Sequence, residues 1–228
     1  MIRIYYHIYV IDGVETIINE QLSLLKKCIN KSYSLIVGIS ISENNNSVDD
    51  IIKLINEYDM PVIIGDIKTK DNEFVTLNLI EKDKEIFDDK DFILYLHTKG
   101  ASKQNTDEYS DNKRWRNVMQ LYNIKYIDNV FGVFNGGLYN TYGVLLERVS
   151  DYKNIIYSGN FWWMTGEYAK TINIDNVDKS DRYNAEFQYI QMGINWNPYS
   201  YFIRDTNNTN NRRKKRNINT QFSFNKLI

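Results

Sequence analysis

The first hundred residues alternate short runs of β-branched and aromatic residues with longer segments whose apolar residues recur at helical spacing. That alternation leaves few architectures open. "RIYYHIYV", Arg3 to Val10, reads as a strand. "GVETIINEQLSLLKKCIN" follows, with Val14, Ile18, Leu22, Leu25 and Ile29 on one helical stripe and lysines towards its end. "SLIVGISIS" is a second strand, and "SVDDIIKLINEY" a second helix with Ser47 as N-cap and Asp49 and Asp50 in its first turn. "MPVIIGD" is a third strand, "NEFVTLNLIEKDKEIF" a third helix, and "DFILYLHTKG" a short apolar run that stops abruptly in polar residues. Strands alternating with helices predict a largely parallel sheet covered on both faces, an α/β fold.

The second half is less regular. "DNKRWRNVMQLYNIKYID" reads as a helix, "VFGVF" and "YGVLLERV" as strands, and "NIIYSGNFWWM" as one further strand leading into a short helix at "TGEYAKTI". "RYNAEFQYIQMG" is another helix, closed by Gly193. Beyond "NPYSYFIRD" the polar "TNNTNNRRKKRNINTQ" reads as a mobile loop or tail. The expected organisation is one domain over residues 1–205, with halves at 1–100 and 101–205, and a basic tail over 206–228.

A length of 228 residues with 43% hydrophobic and 25% charged residues suits one such domain. The net charge of -1 argues against a protein built mainly to hold nucleic acid. The basic run Arg212 to Arg216 has no interleaved aromatics, so a nucleic-acid contact or import signal there is a minor reading. Cys28 stands alone, which leaves no internal disulfide and no Cys/His cluster for zinc, and fits a reducing compartment. "MIRIYYHIYVID" carries Arg and His inside its apolar run and has no cleavage pattern behind it, and no run approaches the roughly 18 to 20 apolar residues of a membrane span. A soluble cytoplasmic protein is expected.

In open parallel sheets, ligands bind at the carboxyl ends of the strands. The first strand offers His7 and Tyr9 there, the second Ser40 and Ser42, and the third Asp66 with Asp71 and Glu73 downstream. Neither a dinucleotide fingerprint nor a P-loop is present. The most unusual strand end is "LYLHTKG": His97, Thr98 and Lys99 bring an imidazole, a hydroxyl and an ammonium, and Gly100 permits close backbone approach. A polar turn after a buried strand is an equally good reading of the residues alone. "NKRWRN" sets Arg114 and Arg116 around Trp115, either as a solvated helix face or towards the same cleft. In "SGNFWW", alternation puts Phe161 and Trp163 on one face and Trp162 on the other, so at most one face is expected to be plain core and the other free to stack on a sugar or base. Glu186, early in a helix, is either an ordinary first-turn acid or a general base.

Taken in order, "YLHTKG", Trp115-Arg116, "SGNFWW" and "RYNAE" resemble a family of glycosyltransferases found in bacterial polysaccharide loci and in large DNA viruses, including the N-terminal glycosyltransferase domains of chlorovirus capsid-glycan enzymes. The resemblance spans roughly residues 3 to 200. It implies a GT-A fold, a nucleotide-binding half followed by an acceptor-binding half, and a nucleoside diphosphate sugar as donor, commonly a UDP-sugar. The acceptor would be a hydroxyl of a glycan or glycoprotein. His97 to Gly100 then occupy the place where such enzymes usually carry an Asp-x-Asp motif. The formal Asp89-Lys90-Asp91 lies before that strand instead. A divalent ion, Mn²⁺ or Mg²⁺, would have to come from a set such as Asp66, Asp71 and His97. Under the resemblance His7, Tyr9, Ser40, Asp66, Glu73, Thr98, Gly100 and Arg116 surround the donor, and Lys99, helped by Arg116, offsets charge on the departing diphosphate. His97 joins Lys99 beside the reaction, Glu186 is the base of an inverting displacement, and Asn160, Trp162 and Trp163 form the sugar wall. The competing expectation is a glycan- or nucleotide-binding module that keeps this fold without turnover.

Overall fold

The computed structural model describes residues 1–42, 48–69, 72–149 and 154–204. The first half follows the alternation: β1 (Ile2–Val10), α1 (Glu15–Cys28), β2 (Tyr33–Ile41), α2 (Val48–Asn56), β3 (Val62–Thr69), α3 (Phe74–Asp83) and β4 (Phe92–His97). The second half contains α4 (Tyr109–Gln120), α5 (Ile127–Asn135), β5 (Thr141–Val149), β6 (Asn154–Tyr157), β7 (Trp162–Thr165), α6 (Gly166–Ala169), α7 (Tyr183–Phe187) and β8 (Pro198–Arg204).

One mixed, mostly parallel sheet runs through both halves in the order β3-β2-β1-β4-β7-β5-β6, with β8 paired to β5. The first four strands are parallel, and β7 enters antiparallel beside β4, with Tyr95 opposite Trp162. After β1 the chain builds outwards to β2 and β3, then returns to place β4 on the other side of β1. This reversal is a topological switch point, the place where open α/β sheets form their ligand crevice, here at the carboxyl ends of β1 and β4.

Both faces of the sheet are covered. Ile4, Tyr6 and Ile8 of β1 pack with Ile18, Leu22 and Leu25 of α1, Ile51 and Ile55 of α2, and Val130 and Phe131 of α5. Tyr5 faces the opposite side, with Phe74, Leu77 and Ile80 of α3, Tyr168 of α6 and Ala185 of α7. The period-two alternation of β1 thus separates two cores. Among the described residues no helix is long and apolar enough to cross a membrane.

Four expectations need correction. "VFGVF" is not a strand but the body of α5, because Ile127, Val130, Phe131 and Phe134 form an i, i+3, i+4, i+7 stripe that faces the core. The long helix expected over 111–128 is broken by one π-helical turn, Leu121–Lys125, where the Tyr126 amide donates to Leu121 O at 3.0 Å. The strand through "NIIYSGNFWWM" is two strands, both antiparallel to β5. Only two residues of β5, Val144 and Leu145, match the four residues 158–161; Ser158 still donates to Leu145 O at 2.8 Å, so Gly159 and Asn160 bulge out of the ladder. The helix expected over 182–193 contains only α7 and one short 3₁₀ turn, Tyr189–Gln191. "PYSYFIR", left unassigned in the sequence, is β8. Ser47 and the basic tail lie outside the described residues.

Candidate functional site

The bulge between β6 and β7 faces the end of β4, and the two segments are bolted together at one glycine. The Gly159 carbonyl accepts from His97 Nε2 at 3.0 Å, while its amide donates to Glu186 Oε1 at 2.8 Å. Gly159 sits at φ +88°, and an added Cβ there would lie 2.5 Å from Met119 Sδ and 2.6 Å from Trp115 Nε1. Only glycine fits both the backbone and the space. Asn160 follows at φ 54°, a left-handed conformation that asparagine tolerates.

Asn160 carries the bulge's contacts inwards. Its Nδ2 donates to Glu73 Oε2 at 2.6 Å, and its Oδ1 accepts from Trp162 Nε1 at 2.7 Å. The same Glu73 oxygen accepts the Tyr95 hydroxyl at 2.7 Å. Glu73 Oε1 remains, 3.6 Å from His97 Nδ1. Because a carbonyl only accepts, His97 Nε2 carries the hydrogen. Burial first, and the nearby Lys99 ammonium second, lower the His97 pKa to about 3, against the smaller opposing pulls of the Gly159 carbonyl and Glu186. The closeness of Glu73 favours an imidazolium, yet 3.6 Å is too long for a charge-assisted hydrogen bond, so burial decides. His97 Nδ1 and Glu73 Oε1 are therefore two adjacent acceptors, which together call for two donor hydrogens, as one water or two neighbouring hydroxyls supply.

Thr98 and Lys99 continue β4 into the crevice. The Thr98 hydroxyl accepts from the Tyr9 amide at 3.0 Å and its own amide donates to His7 O, so Thr98 extends the seam between β1 and β4. Lys99 is half-buried and its ammonium meets no carboxylate among the described residues. Gly100 turns the chain at φ +85°, where an added Cβ would stand 3.0 Å from Asn112 Cβ. Tyr9 stays half-buried beside this turn.

Several expected contributors lie elsewhere. His7 is buried, with Nδ1 2.9 Å from Thr76 Oγ1 and Nε2 3.2 Å from the buried Ser40 Oγ; burial, chiefly, lowers its pKa to about 4. His7 and Ser40 tie α3 to the sheet beneath the crevice. Arg116 is fully buried and binds Glu20 through Nε and Nη2 at 3.1 and 3.2 Å, so it cannot reach a diphosphate. Its Nη1 donates to Lys99 O at 2.8 Å, which makes it a support for the Lys99 turn. Trp162 and Trp163 are both 0% exposed, and the expected sugar-facing indole does not exist. Trp162 stacks between Tyr95 and Tyr189, and Trp163 donates to Asn123 O, in the π-helical turn. Their faces do alternate as predicted, but both faces of the sheet are core.

Asp66 pairs with Lys82 at 2.7 Å and lies three strands from His97, roughly 14 Å at the usual strand spacing. The two cannot share an ion. Asp71 lies outside the described residues. Asp91 holds the Met1 amine and Arg3 at the opposite end of β4, and Asp89 pairs with Lys170. Among the described residues no three His, Cys, Asp or Glu side chains gather as a metal ion requires. The described side chains do not by themselves compose a metal site.

The sequence reading passed over Tyr95 and Arg182. Alternation from His97 would have found Tyr95, two residues back on the same face. Arg182 opens the "RYNAE" motif, but carries no assigned role there. It is exposed, and its guanidinium lies over the Tyr183 ring within electrostatic reach of Glu73 and Tyr9.

Together these elements define an α/β protein whose switch-point crevice is lined by a lysine, two carboxylates, a neutral histidine and an asparagine-bearing bulge. Compared with family models and with curated proteins, the chain matches none.

Proposed function

We propose that the chain is a glycosyltransferase that moves a sugar from a nucleoside diphosphate donor, a UDP-sugar in the first instance, to a hydroxyl of a glycan or glycoprotein. The observation that carries this reading is the convergence of Lys99, Glu73, His97 and Glu186 at the switch point between β1 and β4. A parallel sheet offers a nucleotide its crevice there, and the antiparallel entry of β7 brings a second set of polar groups across from it. The order of sequence motifs that resembles glycosyltransferases and of the GT-A fold is consistent with this arrangement.

In the proposed reaction the acceptor oxygen forms a bond to the anomeric carbon as the bond from that carbon to the diphosphate oxygen breaks. The electron pair stays on the diphosphate, where Lys99 offsets the growing charge. The acceptor proton passes to Glu186, whose Oε1 is engaged by the Gly159 amide while Oε2 has no hydrogen-bond donor among the described residues. His97 Nδ1 and Glu73 Oε1 each accept from one of two neighbouring sugar hydroxyls and fix the orientation of the sugar.

Incubation with a panel of UDP-, GDP-, ADP- and CDP-sugars, with and without Mn²⁺ or Mg²⁺, tests the reading through release of nucleoside diphosphate. Glu186→Gln is expected to lower turnover by about 10²- to 10⁴-fold with donor affinity nearly unchanged. Full activity of that variant removes Glu186 as base; no binding of any donor removes the reading. One observation favours the alternative of a binding module without turnover: His97 and Glu186 each hold Gly159 and so have structural roles already. Donor binding without hydrolysis or transfer would support it.

A further inference from the structure

Besides Lys99, the described residues place a second cation near the ends of β1 and β4 whose position no ion pair explains, Arg182. Arg3 and Arg116, the partly and fully buried arginines of β1 and α4, are each committed to a carboxylate, Asp91 and Glu20. Arg182 is not. Among the described residues it meets no carboxylate within ion-pair distance, and only Nη2 of its guanidinium is engaged, donating to the neighbouring Tyr183 hydroxyl at 3.1 Å. Yet the segment that carries it is anchored on both sides of the crevice mouth. Lys179 O accepts from Asn72 Nδ2 at 3.0 Å, next to Glu73 at the start of α3, while Glu186 holds Gly159 and Ala185 O accepts from Asn160 Nδ2. Arg182 lies between these ties, so its backbone is anchored on both sides while its guanidinium is held, among the described residues, by Tyr183.

We propose that Arg182 is the second cation of the donor site, leaving Tyr183 to bind the diphosphate of the nucleotide sugar opposite Lys99. This rests on the glycosyltransferase reading and assigns to Arg182 the role that the buried Arg116 cannot fill. The chemistry suits it: a guanidinium presents a planar fork of donors that matches two phosphate oxygens, whereas Lys99 supplies a point charge. In the free protein the Tyr183 ring and hydroxyl hold the guanidinium at the mouth, with the ring centroid 4.9 Å from Cζ. When the bond between the anomeric carbon and the diphosphate oxygen breaks, the charge that remains on the diphosphate strengthens both contacts, and the proton released by the acceptor goes to Glu186.

Isothermal titration of the whole chain with UDP, GDP, ADP and CDP, each beside its parent nucleoside, tests the assignment. Arg182→Gln is expected to weaken the tightest-bound diphosphate about 10- to 100-fold, leave its parent nucleoside unchanged, and flatten the salt dependence of diphosphate binding; Arg182→Lys recovers part of the loss. Tyr183→Phe, which removes only the hydroxyl that holds Arg182 in the free protein, is expected to bind diphosphate at least as tightly as the parent. Because Arg182 is exposed, unchanged thermal unfolding of the variants is expected and shows that the fold is intact. If the parent protein binds a diphosphate and Arg182→Gln binds it equally well, the second-cation assignment is wrong while the donor reading stands. If the parent protein binds none of the four, both fall together. Equal losses for the diphosphate and its nucleoside would mark a structural role and also overturn the assignment.

Discussion

Replacing Glu20 with leucine probes the support under the crevice, and the structure gives the size of the effect. Arg116 is 0% exposed and makes three hydrogen bonds, two to Glu20 and one to Lys99 O. Glu20→Leu removes two of them and also strands Gln120 Nε2, which donates to Glu20 Oε1 at 2.8 Å. Breaking a buried pair on one side costs about 3–5 kcal/mol, because a charge is left without compensation. The Glu20 side chain is 28% exposed, so some water reaches that end, and roughly 3 kcal/mol is expected. For a chain of this size that lowers Tm by about 6–12 °C. Urea unfolding measures it as a lower midpoint with an unchanged slope. Arg116→Met leaves a carboxylate that water can reach and costs less, and the double variant Glu20→Leu/Arg116→Met is expected to be more stable than Glu20→Leu alone. Burial raises the Glu20 pKa, but the hydrogen bonds from Arg116 and Gln120 outweigh it and leave the pKa below its ordinary value. A depressed acid stabilises the fold above its unfolded pKa, about 4.3, and that share is lost as pH falls through the lower folded value. The gap between parent and Glu20→Leu therefore narrows in acid. A cost under about 1 kcal/mol at pH 7, or a double variant no more stable than Glu20→Leu, would refute the view that Arg116 is a buried charge dependent on Glu20.

Trp162→Ala is expected to cost about 3–5 kcal/mol in unfolding free energy, since a fully enclosed indole between Tyr95 and Tyr189 is lost; a glycan-affinity loss at unchanged stability would restore the sugar-wall role. Gly159→Ala is expected to destabilise the fold through its φ of +88° and the crowding by Met119 and Trp115, and to shift the backbone amide signals of Glu186 and Asn160, readable by NMR. His7 and His97 are buried with pKa values near 4 and 3, and both must charge when the chain unfolds below pH 6.5. The unfolded state then binds more protons, so stability falls with falling pH; between pH 7.5 and 5 each histidine withdraws about 2 kcal/mol. A urea midpoint flat over that range contradicts the buried neutral state.

The half of the fold written in regular periods was legible. The density of β-branched and aromatic residues in "RIYYHIYV" and the stripe from Val14 to Ile29 predicted β1 and α1 and, with their successors, the parallel order. "VFGVF" failed because five apolar residues carry neither period; the stripe that settles α5 begins at Ile127, outside the quoted run. The paired tryptophans were assigned correctly to opposite faces, but a local pattern contains no information about whether a face is covered. Arg116 shows the same gap. Its spacing on α4 reads as solvated, and the carboxylate that buries it is 96 residues away in sequence. At the site, His97 to Gly100 stood out as an abrupt polar end to an apolar strand. The partnership of Glu73, Asn160 and Tyr95 did not, because it forms only when β7 folds back beside β4.

Gly159 links the fold to the chemistry proposed for it. Two side chains hold it, His97 by the carbonyl and Glu186 by the amide, and each keeps its other polar atom for something else. A base that loosened the bulge whenever it took a proton would lose Asn160, and with it the orientation of Glu73, in every cycle. Protonation of Glu186 at Oε2 avoids this, because Oε1 goes on accepting from the Gly159 amide. The same division applies to His97, which donates through Nε2 and receives through Nδ1 without changing charge. Glu73 is divided in the same way, Oε2 accepting from both Tyr95 and Asn160 and Oε1 standing 3.6 Å from His97 Nδ1, but a proton on Oε1 would turn that oxygen from an acceptor into a donor facing Nδ1. Of the two carboxylates, Glu186 is the one that can take up a proton while the pair of acceptors at His97 and Glu73 stays available to the substrate.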